Sequence, residues 1–360
     1  MPTVQQSPRL TPEQLASLGR ELDEIRADVL ARLGASDASY IRRSVRLQAR
    51  LELCGRALFF LGSLPPAWAA GVVCLAIARL LNTNEIGHNV LHGQYDWMRD
   101  PALDSTTYEW SELPTSKDWQ HSHNFMHHTY TNVLGRDRDV GFGIIRMSEE
   151  QKWHPYYLGN PVYAGLLMLF IDWGFALHDL EVDRIVKGEC KLSEKRDVLG
   201  RMTRKISRHL LREYLLHPAL TGSLFLRTLA GNACANLLHN LCNSSFIFCG
   251  HFPDGAVAFT EEETRNETQG HWYYRQLVGS ANFTASRFVQ HISGHLSHQI
   301  EHHLFPDLPA CRYPEIAVRV RAVCEKYGIP YNTGPLHRQL GSAWRKLVKL
   351  ALPPAKRSSY

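Results

Sequence analysis

Residues 294 to 309 read GHLSHQIEHHLFPDLP, and within them His298, His302 and His303 put three imidazoles into six positions. Each ring carries two nitrogens that need partners, so this crowding is costly in an ordinary core, and metal binding is the economical explanation. The chain repeats the device in His88-Asn-Val-Leu-His92 and in His123-Asn-Phe-Met-His127-His128, which sits inside QHSHNFMHHTYTN. On a helix that advances about 100° per residue, His88 and His92 point to one side and can share an ion. The other two clusters have the same HxxxHH spacing. In each, the first and second histidines lie about 40° apart and can chelate one ion, while the third, turned by about 100°, can reach another. Eight imidazoles are too many for one tetrahedral site and suit two metals with open positions. Imidazole-rich ligation without thiolates fits iron and oxygen chemistry, with zinc the competitor on ligand type; a structural zinc site usually closes with four ligands, often cysteines.

Composition narrows the choice. Nineteen histidines stand against 21% charged residues and a net charge of +5, so the excess lies in ring nitrogens and no dense basic patch points to nucleic acid. Cys54, Cys74, Cys190, Cys234, Cys242, Cys249, Cys311 and Cys324 form no CxxC pair and follow no secretory leader. That usage fits a reduced, cytosol-facing setting and argues against a thiolate metal site. With 360 residues the chain can bury a sizeable core in one large domain or two modest ones.

The elements that must position the clusters read as helices, and all-α is the expected class. Mean hydropathy is only −0.26, yet three windows, 57–78, 153–171 and 228–253, contain no Asp, Glu, Lys or Arg. Each is long enough to cross, or nearly cross, a hydrocarbon core of about 30 Å; the competing reading is buried helices of a soluble bundle. Pro65-Pro66 interrupts the first window, which predicts either a helical hairpin or one broken span. Arg42, Arg43, Arg46, Arg50 and Arg56 precede it, a flank that marks the cytosolic side. Residues 1–10 read as a disordered tail. Thr11-Pro12-Glu13-Gln14 then reads as a helix start with a capping box, and Gly34 as the stop. Leu15, Leu18, Leu22, Ile25 and Val29 share one face of that helix, for packing on the body or on a membrane surface. The basic segment 179–212 reads as a solvated helix face, or as a contact for anionic lipid or an acidic redox partner. Leu340, Trp344, Leu347 and Val348, set against Arg345, Lys346 and Lys349, suggest an interfacial helix at the C-terminal end.

HNVLH, HSHNFMHHTYTN and above all HQIEHHLFPDLP resemble the three histidine boxes of the integral-membrane fatty acid desaturases, in wording closest to actinobacterial acyl-CoA desaturases. The resemblance covers roughly residues 80–330. It implies a helical membrane bundle of about four spanning helices with a cytosolic helical cap, the active site and both termini being cytosolic. The organisation that follows is an N-terminal helix and tail over 1–40, a membrane desaturase domain over 41–330 and a basic amphipathic segment over 331–360. The resemblance further implies two iron ions, dioxygen as co-substrate and a double bond placed in a long acyl chain carried as a thioester or lipid. Carried over by position, His88 and His92 match box one, His123, His127 and His128 box two, and His302 and His303 box three. The first place of box three maps onto Gln299 by family pattern, or onto His298 by the internal parallel with box two. A further family histidine maps onto His251, with His239 as runner-up. Asp137, Asp139, Asn132 and Glu301 are candidate acceptors for imidazole N–H groups; His121, His291 and His295 are either such partners or surface residues. Neither an HPGG segment nor a GxGxxG loop occurs, so electrons are expected from a separate ferredoxin or flavoprotein reductase. The rival outcomes are a hydroxylase on the same scaffold and a non-catalytic membrane metal-binding protein.

Overall fold

The computed structural model describes residues 10–354; the expected N-terminal tail falls almost wholly outside them. Helix α1, Pro12–Ala31, begins as its residues dictate. The Thr11 side chain accepts from the Gln14 N–H, and the Gln14 side chain returns to the Thr11 N–H at 2.8 Å. Its apolar stripe Leu15, Leu18, Leu22, Ile25 and Val29 is buried against the Gln269–Gly279 and Tyr313–Tyr327 helices, so α1 packs on the body of the protein.

Of the two alternatives at Pro65-Pro66, the hairpin forms. Helix α2, Ala35–Phe59, starts well before the uncharged window, and α3, Pro65–Leu80, runs back beside it. Both prolines fall in the first turn of α3, where the backbone N–H groups have no helical partner to lose. A Cβ on Gly55 would lie 2.7 Å from the Leu75 Cγ, so the two helices approach at a distance only glycine allows.

A second hairpin joins the continuous helix 196–220 to the long helix Phe225–His251. The two turns meet: the Trp68 indole donates to the Arg227 carbonyl at 2.8 Å, and Arg227 donates to the Gly62 and Ser63 carbonyls at 3.0 Å. His88 and His251 therefore lie at the same far end of this four-helix arrangement. Between the hairpins Glu213, 1% exposed, bonds Arg56 and Arg79 at 2.7 Å each, which closes a buried ion network across three helices.

The window at 153–171 does not make one straight helix. Asn160–Leu169 ends at Phe170, and Ile171–Asp179 leaves at 98°. Among the described residues one helix, Pro65–Leu91, is long and apolar enough to cross a membrane, and the bent pair makes a second if it counts as one span. The C-terminal helix Leu336–Ala351 buries Ala343 and Leu347 against the Asn160–Leu169 and Phe225–His251 helices and leaves Arg345 and Lys349 in solvent. Strand is nearly absent among the described residues: β1, Asn282–Thr284, and β2, Thr333–Pro335, form a short parallel pair.

Arg275, 1% exposed, ties this cap to the second histidine cluster. It bonds Glu267 at 2.7 Å and donates to the Thr131 and Thr129 carbonyls at 2.9 and 2.8 Å. Arg275→Ala takes the donor from a partly exposed carboxylate and from two carbonyls, an expected loss of about 1–3 kcal/mol. Denaturant unfolding of the purified protein checks it.

Candidate metal centre

Four segments deliver the histidines, and two of them are not α-helical where it matters. α3 passes into a π-helical stretch, Leu81–His88, and the second cluster lies on another, Gln120–His127. Such i→i+5 turns are rare and concentrate at functional sites. They also change the angular step, so 100° per residue no longer holds, and the partners within box two differ from those the spacing predicts. His88, His92, His123 and His302 bring one ligand atom each to within 4.8 Å of one another; His127, His251 and His303 do the same as a second group. His123 and His127, expected to chelate one ion together, thus fall mainly to different groups, although both also meet Asp139. His302 and His303 divide between the two groups, as adjacent residues on a helix should. His128 stands between the groups, its ring 4.7 Å from that of His92 and 4.4 Å from that of His303.

The two candidates for the first position of the third cluster are placed differently. His298 is the N-cap of helix Gln299–Leu304, with φ −113° and ψ 54°, and so lies off the helix on which the parallel with box two depends. Its Nδ1 meets Ser297 Oγ at 3.1 Å, and the structure brings it to neither group. Gln299, the first helical residue, lies with its amide 3.0 Å from His251 Nε2. A Cβ on Gly250 would come within 2.8 Å of the Gln299 Cγ, so that glycine makes the room. Gly294 does the same one turn earlier: with φ 60°, its missing Cβ would sit 2.3 Å from the Asn84 carbonyl on the box-one helix. His239, the alternative to His251, is buried elsewhere and bonds Thr83 at 3.0 Å. His291 bonds Ser44 and His295 bonds Tyr40, so both hold the cap to α2; His121 is exposed.

The nitrogens are arranged for metal. Nδ1 of His127 faces both oxygens of Asp137 at 3.0 Å, Nδ1 of His303 faces Gln276 Oε1 at 3.2 Å, Nδ1 of His302 faces the Tyr313 hydroxyl at 3.3 Å, and Nδ1 of His123 faces Asp139 at 3.4 Å. Nε2 of His92, His123, His127, His128, His302 and His303 is buried without a partner. A ring fixed through one nitrogen, with the other bare and buried, is how imidazole ligates. Burial first, then repulsion among the rings, holds His128, His302 and His303 well below the usual imidazole range, so their lone pairs are free. The residues therefore fit a pair of metal ions.

Of the expected acceptors, Asp137 and Asp139 serve. Asn132 instead donates to the Val257 and Gly279 carbonyls, and Glu301 accepts from Asn282 and Tyr331, both at 2.8 Å. Tyr313 and Gln276 escaped sequence reasoning because nothing local marks a residue that meets a histidine 10 or more positions away. His88, His123, His127, His251 and Gln299 line a cleft together with Trp110, Phe142, Phe175, Ile247 and Phe252.

Residues 66–335 match the family described as fatty acid desaturase. The chain is 45% identical over 348 residues, 96% of its length and 82% of the relative's, to the NADPH-dependent stearoyl-CoA 9-desaturase of Mycobacterium tuberculosis. It is 28% identical over 282 residues, 75% of its length and 76% of the relative's, to the sn-1 linoleoyl-lipid 6-desaturase of Synechocystis sp..

Proposed function

The chain belongs to the fatty acid desaturase family, and from that premise we propose that it places a double bond in a long-chain acyl thioester held beside two histidine-bound iron ions. It is an oxygen-dependent fatty acid desaturase. The observation that carries the finer reading is that both imidazole groups open onto one apolar cleft. His88, His92, His123 and His302 would hold one ion, and His127, His251 and His303 the other, with His128 and Gln299 within reach. Bound there, iron supplies the oxidant that unactivated C–H bonds demand, since no side-chain base can deprotonate an alkane.

The chain's own residues do the rest. Trp110, Phe142, Phe175, Ile247 and Phe252 offer only apolar surface to a methylene chain, which orients it along the ligands and keeps water from the reacting carbons. Asp137, Gln276 and Tyr313 keep their imidazoles in the ligating tautomer. Reducing dioxygen to two waters takes four electrons. Two leave with the substrate hydrogens, and two arrive from a separate ferredoxin or flavoprotein, while the two protons that complete the waters come from solvent. The 45% identical relative is NADPH-dependent by name, which supports an outside source of electrons.

The turn-side halves of the two hairpins are read as four membrane spans, and the halves of α2 and of helix 196–220 that carry Arg42–Arg50 and Arg201–Arg208 stand beyond the hydrocarbon. Exposed Phe60, Leu61, Leu64, Val73, Leu237 and Leu238 give them an apolar exterior larger than scattered surface residues explain. Arg42, Arg43, Arg46 and Arg50 lie on the half of α2 away from the turn, the end at which the histidines gather, and the positive-inside bias makes that end cytosolic. Iron-loaded protein given a stearoyl thioester, dioxygen and reductant is expected to yield a product lighter by two hydrogens in mass spectrometry. A product heavier by one oxygen overturns desaturation in favour of hydroxylation.

A further inference from the structure

Two electrons per double bond must reach the metals from outside, so some surface lies near enough to the ligands to receive a carrier; this step rests on the external donor proposed above. The helix that carries the second histidine cluster has two faces. From Ser116 to Tyr130 it turns Trp119, His123 and His127 toward the centre, while Lys117, His121 and Phe125, spaced by four, are exposed. Phe125 is 55% exposed and its ring stacks on that of His121 at 5.8 Å and 21°. An outward phenylalanine buries nothing for the fold, and here it lies across one helix, about 10–12 Å thick with its side chains, from the ligands.

The charge around the stripe leans positive, although Asp104 and Asp197 also stand there without a salt bridge among the described residues. Beside the start of this helix, Arg201 and Lys205 are already paired with Asp118 and Glu109. Lys117 on the stripe, and Arg204 and Arg208 on the neighbouring helix, are exposed and have no carboxylate partner among the described residues. The geometry points to the Lys117–His121–Phe125 stripe as the docking surface of an acidic one-electron carrier protein. The aromatic pair forms its anchor and the unpaired cations its steering rim. The electrons then cross a single helix that ends on His123 and His127.

The test uses full-length, iron-loaded protein in nanodiscs with stearoyl-CoA and dioxygen. The probe is a plant-type [2Fe–2S] ferredoxin reduced by NADPH through its reductase. Phe125→Ser and Lys117→Glu are each expected to raise the KM for ferredoxin about tenfold, the effect of losing an interface anchor, with kcat at saturating ferredoxin unchanged. Turnover driven by dithionite and methyl viologen, which need no docking, stays at the wild-type rate. Added salt raises the ferredoxin KM of the wild type more than that of Lys117→Glu. An unchanged ferredoxin KM in both variants overturns the docking surface, as does an equal loss with both reductants. A variant that changes only the oligomeric state makes the stripe a contact between copies and also overturns it. Wild-type protein that forms no olefin with either reductant overturns the functional reading itself, an outcome separate from the failure of the docking alone.

Discussion

His302→Ala is expected to abolish desaturation, while His298→Ala, four residues earlier in the same motif, retains it. His302 is fully buried, its Nε2 has no partner and it belongs to the group with His88, His92 and His123. Removing it takes a ligand, whereas removing an outer partner of a ligand typically costs about 10–100-fold; the loss for His302→Ala should exceed that range. His298 caps its helix and bonds only its neighbour Ser297, so its loss leaves both groups intact. The measurements are turnover and iron per chain by elemental analysis, with size exclusion to confirm that each variant is folded. Full iron content in His302→Ala sinks its role as a ligand. Lost iron in His298→Ala restores the assignment that the repeated HxxxHH spacing suggested.

That contrast also marks how far the sequence could be read. Residue type pointed to His88, His92, His123, His127, His128, His302 and His303, which the structure gathers around one place; His251, isolated in sequence, came only from the family resemblance and lies with them. Spacing did less well, because it presumed α-helix. The π-helical stretches at Leu81–His88 and Gln120–His127 shift the directions of the rings, and a non-helical His298 breaks the match between boxes two and three. No residue-level signal announces a π-turn; it is the packing of four segments onto one centre that selects it. At Pro65-Pro66 a break was legible but its form was not: a hairpin and one broken span fit the residues equally, and the structure forms the hairpin, with both prolines in the first turn of α3. The basic, solvated face of helix 196–220 was legible too, with Arg204, Arg208 and Arg212 exposed; the buried Glu213 within it was not, since Arg56 and Arg79 from the other hairpin enclose it only once the fold has formed. Tertiary pairing of this kind, like Tyr313 on His302, is invisible to a reading that moves along the chain.

The second large effect is expected from an atom that touches no metal. Asp137→Asn keeps the shape of the residue and changes what it can accept. The native carboxylate is fully enclosed, faces Nδ1 of His127 with both oxygens at 3.0 Å, and accepts the Asn132 N–H at 2.7 Å and the Asp139 N–H at 3.0 Å. Three donors therefore converge on two acceptor atoms. An asparagine offers one oxygen and one NH₂, so one donor must face another donor. A backbone N–H is stranded whichever way the amide turns, since Asn132 and Asp139 bond different oxygens, and where the NH₂ faces His127 the ring must move its proton to Nε2, the nitrogen that must stay bare to bind metal. That proton shift disables one ligand of the group with His251 and His303 and leaves the other group whole. Turnover should fall by about 10–100-fold, and iron per chain should drop toward one. Asp139→Asn serves as the comparison. Its contact with His123 is longer, at 3.4 Å, and its side chain is 20% exposed, so water can take the place of a lost acceptor and the penalty should be smaller. Asp137→Asn with full iron and wild-type turnover would show that the tautomer of His127 is set by the metal alone.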